Sequence, residues 1–493
     1  MTIFLPVPIR DRLRSLTVAM TDTAAPAYQR TMTGWHVALL MIAAAAPLSS
    51  MLGNVPGGLI FGNGAGLPAA FLAAALLMAI LLIVYLELHR SLPGVAGFSS
   101  YVKAGLGSGM GAGAAYTTML GYIAATISYA VGVGYFGSLI AATYGITIPW
   151  WALTGCAFLI IGLLGRRGAE VSGRAVMVLV GAEFILLVVM NVLIVAHDGR
   201  SAFPAASFSP TTIFSGQPGL ALMTGLTSFV GIEAGILYSR ETKNARRAIP
   251  RAVYGALAAI ALFYVITTWI IIGGLGANNA VAAALKLQGD VVFTLAYQFG
   301  GPWLLIPMQV LFCGSVLASA IAMHNAASRY TADLARDGLL PARLGVFHRT
   351  RSVPAAASNV IATLGLVIVL VFALAQVNPY IGLGSSLVGL LTIALFGVQI
   401  IVVLAALRYF ARSRQLTGVL MSACILGGFG LVIAVSLMIV NYSVLTGTDS
   451  PLASAPLLLL VLALIAGPIV VAAKRRTSTS TIPDEQPMQA PLM

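Results

Sequence analysis

The sequence predicts an all-α membrane protein of twelve transmembrane helices, built as two inverted sets of five plus two additional helices. Three observations predict it. First, 59% of the 493 residues are hydrophobic and only 8% are charged, against about 25% charged in a soluble domain. Second, apolar runs of about 20 residues, long enough to cross a bilayer, recur along the whole chain. Third, the basic residues are confined to alternate connecting segments. A transmembrane β-barrel would instead show short stretches of alternating polarity.

The spans read approximately as 36–60, 67–88, 113–141, 149–165, 175–196, 217–239, 252–276, 303–326, 354–376, 383–407, 418–443 and 455–473, here spans 1 to 12. No connecting segment is large enough for a soluble domain. With the N-terminus inside, the inside segments hold 25 Lys and Arg, and the outside segments hold only Arg200 and Lys286. This asymmetry satisfies the positive-inside rule, and one missed span would invert it downstream. It predicts a multi-pass protein of the cell's inner (plasma) membrane with both termini cytoplasmic. The net charge of +13 is then an orientation signal, contacting lipid head groups rather than nucleic acid. The N-terminal MTIFLPVPIRDRLRSL is too weakly apolar for a cleaved signal peptide. The expected organisation is a cytoplasmic segment 1–33, a first five-helix repeat 34–200, a second inverted repeat 201–410, two further helices in 411–473 and a cytoplasmic tail 474–493.

Two spans are interrupted. Span 1 contains MIAAAAPLSSMLGNVPGGLIF, 41–61, with Pro47, Ser49, Ser50, Gly53, Pro56, Gly57 and Gly58 inside twelve residues. Proline in a helix interior costs about 3 kcal/mol. Span 6 contains SFVGIEAG, 228–235, where Gly231 and Gly235 flank Glu233. Each is the first helix of its set of five. Interrupted segments in corresponding positions of two halves point to a secondary transporter, with substrate bound where the breaks meet. Half-helix N-termini there meet an anionic group and freed carbonyls a cation, as an amino acid requires. The alternative is close packing through the small-xxx-small pair Gly231 and Gly235, with nothing bound.

FVGIEAG followed by SRETKNARRAIPRA, 239–252, resembles the span-6 signature of the amino acid–polyamine–organocation (APC) superfamily. NAASRYTADLARDGLLPARLG, 325–345, and ELHRSLPGVAGFSSYVKAGLG, 87–107, resemble its cytoplasmic motifs. The resemblance covers roughly residues 34–473. It implies the LeuT-type fold of an amino acid permease, with substrate between the breaks of spans 1 and 6 and walls from spans 3, 8 and 10. Carried over by position, it implies substrate contacts from Pro47, Ser49, Ser50, Met51, Leu52 and Gly53. On span 6 it implies Phe229, Val230, Gly231 and Ile232, with Phe229 as a lid or wall. The chain departs from the family in two places. Span 1 has PLSSMLG in place of a Gly-Ser/Ala-Gly triplet. Span 5 has Glu183, in MVLVGAEFILL, where many relatives carry a lysine that occupies the space of a sodium ion.

Of 14 acidic residues only Glu183 and Glu233 fall well inside a span. They stand about 12 Å and 9 Å from the inner end of their spans at 1.5 Å per residue. An acid at that depth costs about 2.5–3.5 kcal/mol by insertion scales, and such residues mark ion paths or partners. Burial favours the protonated form of a carboxyl, so both are expected to take part in proton coupling. The structural alternatives are a clamp on freed N–H groups for Glu233 and a helix-packing hydrogen bond for Glu183. Ser315 and Ser319, one turn apart in span 8, and Tyr129 among the span-3 tyrosines Tyr116, Tyr122, Tyr129 and Tyr135 complete the expected substrate site.

The Gly-rich GLGSGMGAGAA, 105–115, follows no strand and lacks Gly-Lys-Ser/Thr, so it is not a phosphate loop. Cys156, Cys313 and Cys424 have no metal-type spacing, and no cofactor or metal site is expected. His36, His89, His197, His324 and His348 fall at span ends or in loops, with no nucleophile–base spacing for an intramembrane enzyme. The reading is therefore a proton-coupled secondary transporter of an amino acid or related amine. Its rivals are a substrate–product antiporter and a non-transporting amino acid sensor.

Overall fold

The computed structural model describes residues 32–92, 97–167, 173–232, 242–347, 353–448 and 454–479. Among them eleven helices are long and apolar enough to cross a membrane, and Trp150–Gly165 is a shorter apolar helix. No strand is present among the described residues. Ten of the eleven occupy expected spans, the eleventh, Ala280–Gly300, falls between spans 7 and 8 and is broken into two pieces, and Pro218–Ser228 opens span 6. The chain is a multi-pass α-helical membrane protein.

In chain order the helices are α1 (Gly34–Ala44), α2 (Val55–Phe61), α3 (Leu67–Ser91), α4 (Phe98–Leu106), α5 (Ser108–Thr143), α6 (Trp150–Arg167) and α7 (Gly173–Asp198). Then come α8 (Pro218–Ser228), α9 (Ala245–Leu275), α10 (Ala280–Leu287), α11 (Val291–Gly300), α12 (Pro302–Arg336), α13 (Ala355–Leu374), α14 (Ser385–Arg412), α15 (Gly418–Val440) and α16 (Ala455–Thr479). The pair α10–α11 lies where the sequence suggested a loop. Its two pieces meet at Gln288, whose φ is +49°, and each is shorter than the roughly 20 residues a bilayer requires.

The 36-residue helix α5 is the central post, packed by α4, α6, α12, α14 and α16. Its contact with α16 is made by small residues. A Cβ added at Gly113 would stand 2.3 Å from the Leu464 carbonyl oxygen. One added at Gly467 would stand 2.0 Å from the Gly113 nitrogen. In lipid, where apolar burial does not drive helices together, such backbone approach supplies much of the association.

At the end that carries the basic loops, the Lys243 N–H donates to the Met32 carbonyl at 2.8 Å, tying the approach to α1 to the approach to α9. Glu233, Gly235 and the RET triplet of 240–242, apart from Thr242, lie outside the described residues, as does His348. His324 is a correction. The eighth span runs to Arg336, ten residues beyond its expected end, so His324 is internal and fully buried, its Nε2 2.8 Å from the Ser358 hydroxyl.

Candidate substrate site

The break in span 1 falls earlier than the glycines suggest. Proline lacks an N–H and pushes its predecessor out of the α region. Ala46, before Pro47, accordingly sits in the left-handed region at φ 43°, ψ 71°. Backbone groups freed at the break find side-chain partners. The Ala45 carbonyl accepts from the Ser50 hydroxyl at 2.9 Å and from the Tyr264 hydroxyl at 2.7 Å. The Leu48 N–H, second in the new half-helix, donates to Glu183 Oε2 at 3.4 Å. Glu183 projects from α7 and is fully buried. It caps this half-helix from a distance of 135 residues in sequence, where a side chain of the same segment normally would.

Beyond Pro47 the chain does not unwind. It continues as a π-helix, Ser50–Asn54, and then α2. The expectation is that 47–53 contact substrate as a group. On a helix only one face can do so, and Ser49, Gly53, Gly57 and Phe61, at intervals of four, line the central cavity with Asn54. Ser50, Met51 and Leu52 turn into the protein and are buried. Met51 Sδ accepts from the Thr268 hydroxyl at 3.8 Å. Pro47 is buried at the break itself.

Span 6 ends its first half by tightening. Phe229 N–H and Val230 N–H donate three residues back, to Leu226 and Thr227, at 3.0 and 3.2 Å. Gly231 then takes φ +101°, which a residue with a Cβ rarely adopts. Leu220, Met223, Thr224 and Thr227 of α8 line the cavity. The residues at the break do not. Phe229 is fully buried with its ring centroid 5.6 Å from that of Tyr264, so in this conformation it is a packing residue and not a lid. Ile232 is likewise buried. Val230 packs with Tyr129 against Leu391 and Leu395.

The cavity, about 100 Å³, is large enough for a small organic molecule and not for a peptide. Ser128, Tyr129, Gly132, Tyr135 and Phe136 face it from α5. Phe312 and Val316 face it from α12, and Tyr380, Gly384, Ser385 and Val388 from span 10. Two of the four span-3 tyrosines thus reach it. Tyr116 donates to the Leu339 carbonyl instead, and Tyr122 packs on Tyr330. Ser315 stands behind the wall, accepting from Ser49 at 2.8 Å, beside Glu183. Ser319 is not on the lining. Glu183 Oε1 has no hydrogen-bond partner among the described residues.

Span 10 also opens on a π-helix, Pro379–Gly384, capped by Asn378 Oδ1, which accepts from Tyr380 N–H and Ile381 N–H at 2.9 Å each. Tyr380 stacks on Tyr135 at 5.1 Å and 19°, and its hydroxyl donates to the Gly53 carbonyl at 3.2 Å. The cavity therefore lies between the two interrupted spans, with walls from spans 3, 8 and 10.

The amino acid permease family matches residues 33–465. The chain belongs to that family. The permease is 24% identical over 346 residues to the branched-chain amino acid permease BcaP of Lactococcus lactis, covering 65% of this chain and 72% of that one. It is 23% identical to the L-lysine transport protein of Corynebacterium glutamicum (59% and 58% covered) and 26% identical to the methylthioribose transporter of Bacillus subtilis (59% and 64%). The match spans less than two thirds of these last two proteins' own length. Two structures of the Eremococcus coleocola manganese transporter share the fold, with TM-scores of 0.53 and 0.54 at 15% and 14% identity. One covers 97% of each chain, the other 93% of this chain and 99% of that one. The fold is the LeuT-type inverted repeat of two five-helix sets with two further helices. Family and relatives make the protein a transporter of amino acids or amines and not an enzyme.

Proposed function

We propose that the permease is a secondary active transporter that moves an amino acid or related amine across the cytoplasmic membrane by alternating access, driven by protons. The observation that carries this reading is Glu183. It is a fully buried acid set one residue pair behind the cavity, with Oε2 on the span-1 break, Oε1 outside hydrogen-bond geometry with any described residue, and Ser315 beside it.

In its charged form Glu183 holds the Leu48 N–H and stands at the positive end of the half-helix. In its protonated form that attraction weakens, and the half-helix is freer to tilt against α7 and α12. Ser49 and Ser315 connect the same acid to the cavity wall. Substrate occupancy and proton occupancy thus act on one hinge. Glu233 is the second candidate for the coupling path. The 25 basic residues of alternate segments support an orientation with both termini on the cytoplasmic side.

The test is uptake into proteoliposomes under an imposed pH gradient or an equal sodium gradient. The pH gradient is expected to drive accumulation and the sodium gradient is not. Accumulation with sodium alone refutes proton coupling. Ligand binding without flux under either gradient refutes transport.

A further inference from the structure

We infer that the cavity is built for a neutral amino acid with a bulky apolar side chain, aromatic or branched, and not for lysine, a polyamine or a strongly polar substrate. The inference rests on the transport reading and narrows its substrate.

The first ground is charge. No Asp, Glu, Lys, Arg or His lines the cavity among the described residues. Glu183 is separated from it by the Ser49–Ser315 pair. A cationic side chain entering here loses its water and meets no carboxylate among the described lining residues, and an unpaired charge in such a place is strongly disfavoured.

The second ground is shape. Phe136 meets Phe312 edge-on at 4.6 Å and Tyr380 at 6.0 Å, and Tyr135 stacks on Tyr380. With Met223 and Val316 these rings form a continuous apolar wall. Edge-to-face and offset arrangements are the ones aromatic pairs prefer, so the wall is rigid and suits an apolar side chain.

The third ground is hydrogen bonding. The donors on the lining are mostly spent within the protein. Ser128 donates to the Gly384 carbonyl, Ser385 to the Tyr380 carbonyl and Asn54 to Ser228. A substrate side chain that needs donors finds few of them free on this lining. Tyr129 is the exception: its hydroxyl has no hydrogen-bond partner among the described residues, and it faces the cavity. The Tyr129 hydroxyl is then the group offered to the substrate's ammonium and carboxylate, and the aromatic wall the surface offered to its side chain.

The experiment is counterflow with the full-length protein in proteoliposomes, using labelled phenylalanine and labelled lysine in parallel, with melting temperature as a binding readout. Phenylalanine and leucine are expected to compete at concentrations about a hundredfold below lysine or putrescine, the cost of an unpaired charge. Alanine is expected to fall about tenfold short of leucine, since each missing carbon weakens a well-filled apolar pocket. Lysine or putrescine competing as well as phenylalanine overturns the substrate class and leaves transport standing. A melting shift with phenylalanine but no counterflow supports the class and refutes transport. No shift and no flux with any of these compounds overturns both.

Discussion

Replacing Glu183 separates its two roles, because glutamine keeps the shape and one acceptor oxygen while alanine keeps neither. In Glu183→Ala the Leu48 N–H, on a fully buried residue, loses its partner. An orphaned buried donor costs about 1–3 kcal/mol. At about 2.1 cal/mol/K per residue the unfolding entropy of this chain is roughly 1 kcal/mol/K, so the loss reads as about 1–3 °C in melting temperature. In Glu183→Gln the carbonyl oxygen can still accept from Leu48, and the change is expected below about 1 °C by the same conversion. Transport behaves differently. Glutamine cannot exchange a proton, so gradient-driven accumulation is lost in both variants, while Glu183→Gln keeps substrate counterflow. The assay is thermal unfolding in nanodiscs beside both transport modes in proteoliposomes. Equal destabilisation by Gln and Ala would refute the capping argument. Full accumulation by Glu183→Gln would refute the coupling argument.

Other perturbations test the remaining geometry. Ser49→Ala and Ser315→Ala remove the two ends of one 2.8 Å bond, so the double variant should be less destabilised than the sum of the singles, by about 0.5–1.5 kcal/mol; a thermal-unfolding cycle that proves additive counts against the bond. Tyr129→Phe removes the cavity's unpartnered hydroxyl while keeping the ring, and should raise KM about tenfold for every accepted amino acid alike; an unchanged KM denies it a substrate contact. Tyr380→Phe keeps the stack on Tyr135 and drops the bond to the Gly53 carbonyl. Substrate release, timed by efflux, should quicken about two- to tenfold. Gly113→Leu would drive a side chain into the α16 backbone; protease protection of the α16 end should fall while α5 to α8 stay protected, and unaltered protection would mean the two helices do not depend on that approach.

The sequence by itself determined the family, the all-α membrane class and which two spans are interrupted. Length and hydropathy of a span are local properties, because every backbone group in lipid must be satisfied within its own helix. The pairing of interrupted spans 1 and 6 also read directly, since Pro47 and Gly231 act on the residues beside them. What tertiary structure decided is which side chains share the cavity. PLSSMLG read as an interruption, but past Pro47 the chain runs on as helix and π-helix, so Ser49 and Gly53 face the cavity while Ser50, Met51 and Leu52 do not. The spacing of 49, 53, 57 and 61 carried that signal once the segment was treated as helix. Phe229 sits in a family motif, yet its ring direction depends on Tyr264, a contact between spans 6 and 7. Tyr380 and Phe136 meet across spans 3 and 10, and nothing local to either residue announces it. Glu183 shows the division most clearly. Its depth in the membrane is a matter of counting along one helix. That it closes the span-1 break is not, because the donor it satisfies belongs to a backbone 135 residues away, and only packing brings the two together.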